Sequence, residues 1–94
     1  MGSRTKTLAI DPGVSGGWAL GDGLDIIKVG SFTTETEFID FVTSNDISKA
    51  VIEDVPAFVS SVTSNSSSFK LGYNYGFEVG VVRGQGISLD LAKP

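Results

Sequence analysis

Ninety-four residues suit one small domain, near the lower end of what a single hydrophobic core stabilises. The absence of cysteine and histidine excludes a disulfide scaffold, thiolate or imidazole zinc sites, and Ser-His catalysis. Seven basic against eleven acidic residues leave a formal charge of −4, the wrong sign for a stand-alone nucleic-acid-binding domain. Any catalysis must therefore run on carboxylates, with a hard, oxygen-preferring metal.

Residues 1–6 read as a disordered or tag-derived N-terminus. Residues 7–10 form a short apolar run that Asp11-Pro12-Gly13 ends, which predicts a strand and a turn. Trp18-Ala19-Leu20 predicts a second strand, Gly21-Asp22-Gly23 a turn, and residues 25–31 a third strand, together an antiparallel meander. Thr34 or Thr36 can cap a helix that carries Phe38, Phe41 and Val42 on one face and closes at Asn45-Asp46. Ala50-Val51-Ile52 is too short for a helix and predicts a buried fourth strand ending at Glu53-Asp54.

A Ser/Thr-rich loop follows over 56–66. Ser67 or Ser68 can then cap a longer helix with Leu71, Tyr75, Val79 and Val82 along one stripe, stopped by Gly84-Gln85-Gly86. Ile87, Leu89 and Leu91 alternate with polar residues as a fifth strand. The order β-β-β-α-β-α-β is mixed α/β within one domain over 1–94, and right-handed crossovers place strands one, four and five parallel and adjacent.

Two carboxylates then stand at the carboxyl ends of neighbouring parallel strands, Asp11 and Glu53. Strands lie about 4.8 Å apart, so both side chains can reach one cation. Metal-assisted phosphodiester hydrolysis uses such a cluster to activate water and stabilise the leaving oxygen. The glycines at 13, 16 and 17 would let backbone approach a phosphate. The plainer alternative makes Asp11 the start of a turn and Glu53 a solvated strand end. Gly72, Gly76, Gly80 and Gly84 recur at every fourth position of the second helix. Each costs about 1 kcal/mol against alanine, so the stripe implies close approach, either by the chain's own sheet or by a partner helix.

Leu8-Ala9-Ile10-Asp11-Pro12-Gly13 with Gly17-Trp18-Ala19-Leu20 resembles the first-strand motif of the RuvC family of crossover junction endodeoxyribonucleases. Val51-Ile52-Glu53-Asp54-Val55 resembles its second acidic motif, and Ser68-Phe69-Lys70-Leu71-Gly72 with Gly76 and Gly80 its Lys-Leu-Gly helix. Residues 87–91, with Pro94 beyond them, are similar to the segment before the family's Trp-Lys stretch.

The resemblance implies an RNase H-like mixed sheet, truncated at the C-terminus. It implies a homodimeric, Mg²⁺- or Mn²⁺-dependent endonuclease acting on branched DNA such as a four-way junction, with neither a membrane nor a nucleotide as partner. Asp11 would match the first catalytic metal ligand and Glu53 the second, the family's other acids lying on a helix later than Pro94. At the family's aromatic-wedge position this sequence has Pro56, with Phe58 two residues on. Phe58 is expected to meet DNA or to pack on the domain, and Lys70 to meet a phosphate or stay solvated. Gly13 joins them as a DNA-contact candidate, and Gly72, Gly76 and Gly80 as a dimer contact.

Asp54 and Asp90 are expected to face solvent, and Val51 and Leu89 to leave apolar surface that favours self-association. With its late acids missing, the chain alone is expected to be inactive. Two other functions stay open: a non-catalytic dimerisation or binding remnant, and a fragment of an actin-like ATPase, which shares the Asp-x-Gly motif. No apolar run is long enough to span a membrane and no signal peptide is present, so the expected location is cytoplasmic.

Overall fold

The structure, a computed structural model, describes residues 6–12, 17–54 and 65–93, with side chains of the last stretch from Phe69 onward. Strand β1 (Lys6–Ile10) runs antiparallel to β2 (Trp18–Asp22), which runs antiparallel to β3 (Asp25–Gly30). Helix α1 (Glu35–Ser44) leads to β4 (Ile47–Glu53), and helix α2 (Asn65–Gly84) leads to β5 (Ser88–Ala92). The five strands form one sheet in the order β3-β2-β1-β4-β5, with β4 parallel to both β1 and β5.

The meander closes one turn later than its glycines suggest. Gly21 and Asp22 stay in β2 because they pair with Thr7 and Lys6, and the hairpin turns at Gly23-Leu24. Gly23 supplies the positive φ (65°) that a two-residue turn needs. β1 likewise takes in Lys6, which sequence patterning gave to the disordered N-terminus. At the far end of the hairpin, a Cβ on Gly30 would come within 2.9 Å of the Trp18 ring. That glycine is therefore the seat of the tryptophan.

Helix α1 starts where Thr34, in extended backbone, accepts the Glu37 N–H on its hydroxyl at 3.0 Å. Glu37 reaches back to accept the Thr33 N–H at 2.7 Å, a reciprocal arrangement that satisfies orphan donors of the first turn. Asn45 ends the helix and donates from its side chain to the Phe41 carbonyl at 2.9 Å. Helix α2 begins at Asn65, earlier than the serine caps anticipated. It stops at a turn where Gly86 takes φ 73°.

Leu8, Ile10, Leu20, Ala50 and Ile52 from the sheet are buried with Phe38 and Val42 of α1 and Val82 of α2. The strand residues in this set alternate with exposed or partly buried ones, so both helices cover the same face. Topology requires it: β3 to β4 and β4 to β5 cross the sheet in the same direction, so right-handed connections put both helices on one side. Aromatic rings fill one end of the layer. Trp18 stacks on Phe32 at 5.2 Å and lies 4.4 Å from Phe41, and Phe32 meets Phe38 edge-on at 4.8 Å.

The other face carries Ala9, Lys49, Val51, Glu53 and Asp90. Lys49 and Asp90 form an exposed ion pair at 3.0 Å, which contributes little stability. Leu89 pairs with Ala50, so it lies on the helix side and is partly buried. Val51 and Leu89 therefore do not make one apolar surface. A group of large exposed apolar side chains lies instead on edge strand β3 and its turn, at Leu24, Ile26, Ile27 and Val29.

Candidate functional site

The last β1–β4 pair is Ile10 with Ile52. One residue further on come Asp11 and Glu53, both exposed, at adjacent carboxyl ends in the middle of the sheet. Strand alternation puts Glu53 on the face away from the helices, level with Asp11 in the β1–β4 register. The Asp11 N–H donates to the Gly17 carbonyl at 2.8 Å, which pins the acid's backbone to the start of β2. The register thus places the two residues at adjacent strand ends.

Asp54 behaves differently from expectation. It is partly buried, and its carboxylate accepts the Tyr75 hydroxyl at 3.0 Å. Burial, and then the hydrogen bond to Asp54, hold the Tyr75 hydroxyl protonated above its ordinary range, with Arg83 pulling weakly the other way. Asp90 is exposed as expected, occupied by Lys49. Lys70 is exposed on α2. Gly13, Gly16, Phe58 and Pro56 lie outside the described residues.

Glu78 was not anticipated. It projects from α2 into a cleft of about 230 Å3 that Asp11, Gly17, Glu35, Phe38 and Phe77 also line. One of its carboxylate oxygens is buried without a hydrogen-bond partner. Desolvation first, and the negative charge of Asp11 second, push its pKa up to about 7 from the ordinary 4.5. Among the described residues no lysine or arginine lines this cleft. Glu35, at its mouth, accepts the Tyr73 hydroxyl at 2.5 Å.

The donor set is all carboxylate, the right chemistry for Mg²⁺ or Mn²⁺. The described residues include every Asp and Glu of the chain, and no three of them gather closely enough to hold an ion. In kind the acids fit a hard cation.

The glycine stripe also resolves. A Cβ added at Gly72, Gly76 or Gly80 would meet none of the described residues within 4 Å. These positions do not pack on the chain's own sheet.

No protein-family model matches this sequence, and neither does any curated protein. Solved structures do match the fold. A RuvC from T. thermophilus, in complex with a Holliday junction substrate, aligns over 96% of this chain with a TM-score of 0.71 and 13% identity. A second structure of Thermus thermophilus RuvC aligns over 95% with a TM-score of 0.64 and 14% identity. The fold is RNase H-like, as in RuvC. The chain spans a little under two thirds of the RuvC chains it matches, 65% and 64%. Among the described residues no helix is long and apolar enough to cross a membrane.

Proposed function

We propose that this chain carries the first two acids of a metal-dependent endonuclease acting on four-way DNA junctions, with Asp11 and Glu53 as the catalytic cation ligands. The observation that carries this is their placement at adjacent carboxyl ends of β1 and β4 in a sheet that superposes on a RuvC bound to a Holliday junction. Bound there, Mg²⁺ or Mn²⁺ would supply positive charge to activate a water and to offset charge on the phosphate. The chain's own contribution is positional. The Asp11–Gly17 backbone bond holds one acid, and the β1–β4 register holds the other beside it. Lys70 is the candidate phosphate contact, with Gly13 and Phe58 as further DNA contacts.

The open face of Gly72, Gly76 and Gly80 supports a homodimer packed through α2. A second function has its own support. Two acids rather than three or more, on a chain of charge −4, also suit a non-catalytic module that binds a partner or a second copy. A Mn²⁺ titration by NMR separates the two. The nuclease predicts broadening of amide signals at 10–12 and 52–54 that disappears when Asp11→Asn is combined with Glu53→Gln. A gel shift comparing a four-way junction with linear duplex of equal length should show preference for the junction. Equal affinity for both, or broadening that survives the double substitution, would overturn the proposal.

A further inference from the structure

We infer that Tyr75 and Asp54 form a latch that positions Glu53, which makes both of them positioning residues. The inference rests on the proposal that Glu53 holds a cation. Glu53 is the last residue of β4 and is exposed, so burial does not fix the direction of its own side chain. The next residue is fixed twice. The Asp54 N–H donates to the Ala92 carbonyl at 2.7 Å, which extends the β4–β5 ladder beyond the strand's last residue. Its carboxylate accepts the Tyr75 hydroxyl at 3.0 Å, tying the same residue to α2.

Successive side chains of a strand point to opposite faces. Holding Asp54 on the helix side therefore turns Glu53 to the other face, one residue past the Ile10–Ile52 pair and level with Asp11 in the register. A ligand held in this way loses less freedom when a cation binds, and outer partners of this type commonly set metal affinity by about 10- to 100-fold. Asp54 is poorly placed to be a ligand itself, because one of its oxygens is committed to Tyr75.

The test is Mn²⁺ binding by the 94-residue chain, followed by calorimetry and by amide broadening. Tyr75→Phe keeps the ring and removes the hydroxyl. It should weaken Mn²⁺ by about 10-fold, and the loss of broadening should be larger at 52–54 than at 10–12. Asp54→Ala should do the same, whereas Asp54→Asn keeps an acceptor for Tyr75 and should restore binding to near the parent value.

Asp54→Asn as damaging as Asp54→Ala would overturn the latch and make Asp54 a ligand. Parent-like binding by Tyr75→Phe would overturn it too. If Glu53→Gln weakens Mn²⁺ and Tyr75→Phe does not, the latch fails while the cation site stands. If Tyr75→Phe weakens it and Glu53→Gln does not, the effect bypasses Glu53 and the latch again fails. A parent that binds no Mn²⁺ overturns both the latch and the cation site.

Discussion

Glu78 occupies a line of α2 that is otherwise inward-facing, four residues before buried Val82 and three after Tyr75. An ionised carboxylate there is desolvated and faces the charge of Asp11, so the folded chain holds the Glu78 proton to about pH 7 while the unfolded chain releases it near 4.5. As pH rises through that window the unfolded state loses its proton first, which favours unfolding. The contribution to stability is full below pH 4.5 and gone above pH 7. Glu78→Gln removes the ionisation, so thermal unfolding in EDTA should show the variant gaining on the parent as pH rises. A parent–variant difference that stays constant with pH would refute this. Periodicity did hold the signal, since Leu71, Tyr75 and Val82 define a stripe on which position 78 falls. What spacing could not convey was that the stripe passes the end of β1, because that depends on how α2 lies across the sheet. Asp11 and Glu53 were legible for the opposite reason: each follows an apolar strand run, and adjacency of those strands follows from topology alone.

Helix α2 was legible as a helix but not in its surroundings. The stripe of glycines left own-sheet packing and a partner helix equally open, and the empty space around Gly72, Gly76 and Gly80 removes the first. Glycine at these sites costs about 1 kcal/mol each relative to alanine, with no packing against the described residues to offset it. In an isolated monomer Gly80→Ala should therefore stabilise by up to about 1 kcal/mol. If two copies meet through this face, Gly76→Leu should separate them while leaving helix content intact, because a large side chain prevents the close approach. Sedimentation against concentration and circular dichroism read the two effects. A chain that is monomeric at high micromolar concentration, with or without the substitution, would remove α2 as a dimer contact. The exposed Phe69 and Tyr73 on the same helix would be covered by such a contact. The exposed residues of β3 were not foreseen. A strand at the sheet edge in this order has neighbours on one side only, and its turn residue Leu24 projects beyond the core.

At the scale of the molecule, the order and direction of the strands followed from element order and right-handed crossovers, as did the single helix-covered face. The acids do not follow so directly, and here the fold and its chemistry separate. RuvC-like folding gives this sheet two carboxylates at neighbouring strand ends, and several other acids are engaged elsewhere on the described chain. Asp54 is engaged with Tyr75, Asp90 with Lys49, and Glu35 with Tyr73. Glu78 is a further acid near Asp11, but among the described residues no group of three acids gathers around one point. Two-metal hydrolysis needs ligands on both sides of the scissile phosphate, since one ion stabilises the attacking oxygen and the other the leaving one. With no histidine, the commonest general base is missing as well. The 94 residues by themselves should therefore bind Mn²⁺ weakly and cut a labelled four-way junction no faster than their Asp11→Asn variant. Cleavage by the parent that vanishes in Asp11→Asn would overturn this, and would mean that Glu78, a freed Asp54 or a second copy completes the metal site.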